Sequence, residues 1–591
     1  MSDDTTPTSD TGTTGWITDC TPSTRFPFYT RANTGEVAPN PMSPLGWRIV
    51  WLEGTVRGYE DGHVRWGSFA EGELGPDDLQ FACFGGYIYH CWSMVRVQGE
   101  RSPGMSAKLM DDAFFGTHPD IPPYVPHPDD ADPEAEGRIQ GTMDWLMSMT
   151  ELPDELAEDR AKALAARDAR PDLAAATDAE LVERATSMSP LIQEFFDPYM
   201  VYGTASSMAM GVLAPLCEGL DPQIPSRLIA GIGDVDSVPP SQAIWDLGRR
   251  VRSSAELTAL FDAGLDGLGD RIAALADSDH DGAAEASLFL ADLDTLRHEH
   301  GARGPIEWDI ASPTWETRPE LVLALVDRLR LADDDLSPTT RHARAVADRE
   351  AAEATLRAHH ADNDEATAAI DLGLRLARVF TPGRERTKLT EMMAIHEVRV
   401  AIDELGRRMV ERGVVERPSD ITMLLDTELD AFVADPASFA DTIRERLAVF
   451  ADLASRQEPF ILFEEQPDPS SWPQRGAGAE PAVVGDVLTG ISGAAGIVTG
   501  TARIVTDPSD PRGIEPGEIL VAPITDPAWT PLFVTAGGVV VEVGAPMSHA
   551  MIVSRELGVP CVTGIEGATG KLRDGMLVAI DGGAGTVTIL E

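Results

Sequence analysis

The chain has 591 residues, 43% of them hydrophobic, and carries 97 acidic against 47 basic side chains for a net charge of −50. At about 100–200 residues per domain, this length means several domains. The acidity argues against nucleic acid and anionic membrane surfaces, which both demand basic patches, and it makes any local cluster of basic residues informative.

Residues 1–15, "MSDDTTPTSDTGTTG", are acidic and polar and are expected to form a disordered tail. Residues 16–116 are mixed and aromatic-rich; "WRIVWLEGTVRGY" and "FACFGGYIYHCWSMVRV" fit strands or buried helices equally by periodicity. A connector rich in Pro and Asp follows over 117–137. Beyond it, segments such as "DELAEDRAKALAARDA" and "LVLALVDRLRLADD" combine helical spacing with strong helix formers, so 16–463 is expected to be a large, mostly α-helical domain. In 464–484 periodicity stops and Pro, Gly, Ser and Ala dominate, as in a hinge linker. Residues 485–591 read as short β-branched runs bounded by glycines, interrupted by the amphipathic "SHAMIVSRELG". The expected fold is multidomain, with the helical domain followed by a compact C-terminal α/β domain.

Five scattered cysteines lack metal-ligand spacing and fit a reducing compartment, so no metal site is expected on this chain. The start lacks the features of a signal peptide, and no run of about 18 apolar residues suggests a membrane span. The expectation is a cytoplasmic protein.

His549 stands at the entrance of the "SHAMIVSRELG" segment, with Ser548 placed to cap the helix. Unpaired backbone N–H groups and the positive helix end suit an anion there, and the dipole lowers the imidazole pKa, leaving a ring nitrogen free as a nucleophile. Spacing alone equally fits a surface or capping histidine.

The surrounding pattern is more specific. "TDPAWTP" (525–531), "AGGVV" (536–540), "SHAMIVSRELGVPCV" (548–562) and "DGGAGTV" (581–587) resemble, in order and spacing, the mobile phosphohistidine domain of the phosphoenolpyruvate-utilising enzymes. The resemblance implies that His549 carries a phosphoryl group, supported by Gly544, Ser548, Thr525 and Asp526, on a swivelling domain. Met547 departs from the threonine common in the dikinases of this family. Upstream, "FPFYTRANTGEVAPNPMSPLGW", "FGGYIYHCWSMVRVQGERSPG", "HEHGARGPIEWDIASPTW" and the block around "RERTKLTEMMAIHEVRV" resemble, in order, the acceptor-binding region of rifampin phosphotransferase and of the large subunit of phenylphosphate synthase.

Arg384 and Lys388 lie four apart and share a helix face. The resemblance implies that they meet the incoming phosphoryl group, whose transfer rests on positioning and charge neutralisation; a solvated charge pair is the competing reading. Arg31, Asn33 and Glu36 form a second candidate set, for which turn chemistry is an equal explanation. Arg303, Glu307 and Asp309 read as acceptor contacts or as a structural ion-pair network, and Ala302 replaces a histidine frequent in the family. Trp47, Tyr87, Tyr89 and Trp92 fit an apolar acceptor pocket or simple core.

No ATP-grasp module and no pyruvate-binding barrel is recognisable in the chain. The expectation is therefore a phosphotransferase component whose histidine is charged by a separate ATP-grasp nucleotide-binding subunit, where ATP and Mg2+ bind. The expected acceptor is a small aromatic hydroxyl compound, a phenol or alkylphenol. A rifamycin-like acceptor, or a protein phosphocarrier without small-molecule chemistry, are the alternatives.

Overall fold

The computed structural model describes residues 15–591 apart from 116–119, 234, 237, 467, 476–480, 507–512, 526–528 and 545–547. The expected tail, except for its last residue, and Asp526 and Met547 lie outside the described residues.

Strand β1 (Phe28–Thr30), the hairpin β2 (Phe81–Phe84) and β3 (Tyr87–Cys91), and the distant β4 (Ile461–Phe463) form a four-stranded sheet in the order β2-β3-β1-β4. The hairpin turns on Gly85 and Gly86, both with positive φ, as a tight two-residue turn requires. The other ambiguous stretch, around "WRIVWLEGTVRGY", is helical over Trp47–Val56 and Arg57–Trp66. Gly54, Gly58 and Gly62 recur every four residues along it, and a Cβ at any of them would collide with helix α1 (Ser189–Ser206). The glycines thus let two backbones approach that side chains would hold apart.

The body is organised around one helix, labelled α5 below, with α2 (Pro239–Ser253), α3 (Glu320–Leu329) and α4 (Pro338–His359) preceding it. Helix α5 (Asp364–Glu411) runs 48 residues and starts at Asn363, whose side chain accepts from Ala366 N at 3.0 Å. Its middle is buried on nearly every side, from Val379 to Ile402, as expected for a helix at the centre of a large body. The chain then returns to β1 through β4. Residues 469–475 of the expected hinge are docked here: Trp472 is buried against Gly85 and Tyr87, and Arg475 pairs with Glu458 at 2.7 Å.

The C-terminal part is an α/β domain, as the change of composition predicts. Its strands are β5 (Val487–Thr489), β6 (Ile491–Ala494), β7 (Ile497–Ile504), β8 (Ile519–Ala522), β9 (Gly538–Val541), β10 (Cys561–Thr563), β11 (Leu577–Asp581) and β12 (Thr586–Ile589). Their order is β5-β12-β11-β7-β8-β9-β10-β6, and β7 to β10 pair in parallel. Parallel neighbours need crossovers. Here these are α6 (Thr530–Thr535) between β8 and β9, and α7 (His549–Leu557) between β9 and β10.

This domain sits against the helical body. Trp529, Leu532 and Phe533 join one apolar cluster with Ile244, Leu247 and Leu325 of α2 and α3. Glu556 of α7 accepts from Ile232 N at 3.0 Å and Gly233 N at 3.3 Å, and His342 of α4 lies 3.5 Å away.

Candidate active site

Consecutive parallel strands β8 and β9 end side by side, so the loops that leave them meet at one edge, the usual place for a site in such sheets. One loop supplies Thr525 and Thr530; the other leads into α7 and supplies His549. The imidazole is held between two hydroxyls, Nδ1 at 3.4 Å from Thr525 Oγ1 and Nε2 at 3.0 Å from Thr530 Oγ1. Ser548 has the extended backbone of an N-cap, but its hydroxyl makes no capping bond and has no partner among the described residues. At Gly544 a Cβ would strike the Thr563 side chain, which explains the glycine.

Only 7% of His549 is exposed, because the helical body covers it. Between them lies a small cavity, lined by His549 and Thr525 on one side and by Arg384, Lys388, Glu307 and Glu36 on the other. Tyr199, Trp308, Ile306 and Val37 supply its apolar wall. Burial holds the His549 pKa well below its ordinary 6.5, and Lys388, Arg303 and Arg384 push the same way. The ring is therefore neutral at neutral pH. Lys388 is itself lowered, by burial first, while Glu307 and Glu385 oppose that shift. Arg384 pairs with Glu385 at 2.7 Å.

The loop carrying Glu307 is strained. Ile306 has φ of 52°, a conformation that costs a β-branched residue roughly 1–3 kcal/mol. Its surroundings hold it there: Arg399 Nη2 donates to Glu307 O at 2.5 Å and to Asp309 O at 3.2 Å. Asp309 accepts from Ser43 Oγ at 2.6 Å, and Arg303 Nη1 lies 3.5 Å from Glu307. Arg303 and Asp309 thus brace the loop, whereas Glu307 faces the cavity.

The remaining candidates separate. Arg31 donates to Ile88 O and Ala38 O and pairs with Glu458 at 3.3 Å, so its guanidinium is committed to tying β3 to the chain two residues beyond Glu36. Asn33 precedes the short helix Thr34–Val37 without a side-chain cap, outside the cavity lining. Trp47 and Tyr87 do not line the cavity: Trp47 is packed in the central core, and Tyr87 donates to Leu453 O at 3.0 Å beneath Arg31. Tyr89 and Trp92 are likewise core. These aromatics are buried by β-sheet and helix packing, the competing reading of their pattern.

Sequence reasoning missed Thr530, Tyr199 and Trp308. Thr530 lies inside "TDPAWTP", but nothing in that string distinguishes a hydroxyl on the ring nitrogen from a helix-start threonine. It also missed Glu391, one turn beyond Lys388, a fully buried carboxyl that burial keeps protonated.

Two family models match the chain: rifampicin phosphotransferase fourth domain over residues 198–385, and PEP-utilising enzyme, mobile domain, over 514–585. An uncharacterised Mycobacterium tuberculosis protein is 33% identical over 305 residues, 52% of this chain and 31% of that protein. Rifampicin phosphotransferase of Streptomyces sviceus is 29% identical over 309 residues, 51% of this chain and 34% of its own length. The prodigiosin synthesizing transferase PigC of Serratia marcescens is 24% identical over 601 residues, covering 97% of this chain and 64% of PigC. The chain spans about a third of the length of the mycobacterial relative. The mobile-domain match thus falls on the sheet that carries His549, and the rifampicin phosphotransferase match on the helices that lead to Arg384, so the chain is similar to phosphoenolpyruvate-utilising enzymes in both parts of this site.

Proposed function

We propose that the chain is the phosphohistidine- and acceptor-binding part of a phosphotransferase, in which His549 receives a phosphoryl group and passes it to an acceptor hydroxyl in the cavity. The observation that carries this reading is the neutral imidazole facing Arg384 and Lys388 across one closed space. The acceptor oxygen attacks phosphorus as the N–P bond breaks. Across the step the acceptor loses its hydroxyl proton and the imidazole regains one. Arg384 and Lys388 neutralise the three equatorial oxygens, and burial strengthens that interaction.

We further propose a separate ATP-grasp subunit as the donor, with ATP and Mg2+ held there. His549 is sealed by its own helical body in the docked arrangement, so charging requires the C-terminal domain to leave.

For the acceptor we favour a phenol or alkylphenol. Tyr199 and Trp308 offer it aromatic faces beside the charged groups. A rifamycin-like acceptor is the second reading, favoured by the match to the fourth domain of rifampicin phosphotransferase.

The test charges the full chain with labelled phosphoramidate, a chemical donor to histidine, and then offers a panel of phenols and a rifamycin. Acid-labile label on wild type, its loss in His549→Ala and transfer to a phenol are expected. Label that persists in His549→Ala would sink the phosphohistidine; a charged protein that transfers only to the rifamycin would replace the phenol.

A further inference from the structure

A second cavity lies at the other end of the buried stretch of α5. It is formed by the turn 310–313, residues 317–318, the 399–403 stretch of α5 and the segment 417–422. Its lining includes three guanidinium groups, Arg318, Arg399 and Arg417, against a single carboxylate, Asp403. In a chain of net charge −50 this is an unusual local balance. Hydroxyls from Ser419 and Thr422 join them.

Arg399 makes the case. It is 1% exposed, and its Nε and Nη1 have no hydrogen-bond partner among the described residues. Only Nη2 is used, on the carbonyls of Glu307 and Asp309. Glu307, Asp309 and Asp403 act on it electrostatically, yet burial still pushes its pKa down to about 10. The two neighbouring arginines have partners: Arg318 meets Asp403 at 3.3 Å and Arg417 meets Asp420 at 3.0 Å. Both keep further donors for a ligand, and both are at least a third exposed at the mouth. A buried cation with open donors is costly unless something anionic or water completes it.

We propose that this cavity binds a small oxyanion-bearing ligand, a phosphate ester or a carboxylate, with Arg399 at its floor and Arg318 and Arg417 at its mouth. It is distinct from the cavity at His549. Lys388 and Arg399 lie eleven residues apart on one face of α5, so roughly 16 Å of helix separates them at about 1.5 Å per residue. The strained 306–309 loop stands between the two, its Glu307 side chain facing one cavity and its carbonyls held by the arginine of the other.

The test is calorimetric titration of the full chain with inorganic phosphate and, separately, with succinate. A Lys388→Met background weakens anion binding at the His549 cavity. Saturable binding is expected to survive in that background. Arg318→Gln with Arg417→Gln, both at the surface, should weaken it by about tenfold or more, and Arg399→Lys should do the same. Should Arg399→Lys fail to fold, the surface pair decides. Binding of phosphate but not succinate identifies a phosphate ester, and the reverse a carboxylate. Binding of neither, binding that vanishes with Lys388→Met, or binding indifferent to the surface pair overturns the proposal.

Discussion

The two sides of the His549 cavity are built differently. The helical side carries the charges, Arg384, Lys388, Glu307 and Glu36, on a long buried helix and on loops tied down by Arg31, Arg303 and Arg399. Among the described residues the C-terminal side offers no charge to the cavity, only an imidazole and the Thr525 hydroxyl. Groups that meet a phosphoryl dianion are best held rigid, since reorganising them during reaction would forfeit their effect. If the C-terminal domain travels as proposed, it has no such rigidity to offer, and a neutral carrier suits it. On this reading the domain must find a second set of fixed cations wherever it is charged.

The largest test of that contrast removes a charge from the fixed side. Lys388 is one of four lysines in the chain and the buried one. Lys388→Met should leave phosphoramidate labelling of His549 intact and slow transfer to the acceptor by about 100- to 1,000-fold. Equal loss in both half-reactions would show that the lysine belongs to the carrier and not to the acceptor site. On the mobile side, Thr530→Val takes away the hydroxyl 3.0 Å from Nε2 and should slow both charging and transfer by roughly tenfold, the worth of one hydrogen bond. An effect on one step alone would mean that the threonine acts only in the docked state.

Docking itself carries two imidazoles of opposite sign. The His549 pKa is held far below 6.5 by burial in the docked state, so docking needs the neutral ring and weakens as pH falls through 6.5. His342 is raised above 6.5 by its hydrogen bond to Glu556, so its contribution is complete below 6.5 and fades as pH climbs through the raised value. Energy transfer between dyes on the two domains should therefore report tightest docking near pH 6.5, loosening by up to about tenfold per pH unit on the acid side and less on the alkaline side. A monotonic profile would remove one of the two groups from the account. The smallest effect is expected outside the cavity lining: Tyr87→Phe should cost about 1 kcal/mol of stability in denaturant melts and leave transfer within twofold, because the Tyr87 hydroxyl bonds to Leu453 O in the core.

The C-terminal domain was the most legible part in sequence, because β-branched runs and one amphipathic helix alternate there and the ordered motifs span most of it. The pairing of Arg384 with Lys388 was legible from their spacing on a helix. What the sequence hides is convergence. Tyr199, Glu307 and Lys388 come from three segments joined only by the packing around α5, and local periodicity holds no record of that. Aromatic content misled for a related reason: Trp47 and Tyr87 bury themselves in a core as readily as in a pocket, and composition is the same for both. Positive φ at Ile306 had no signal at all, since isoleucine is among the residues least suited to it.

The two threonine hydroxyls beside His549 have a further consequence. A carbonyl or carboxylate on one ring nitrogen would fix that nitrogen as the proton carrier and freeze the tautomer. A hydroxyl can give or accept, so Thr525 and Thr530 leave the ring's proton unassigned. Either tautomer of His549 is then accommodated by rotating two O–H bonds, with no heavy atom displaced. Such a ring is ambidextrous: it holds a proton on one side while the other is bare, and under the proposed function either side can serve.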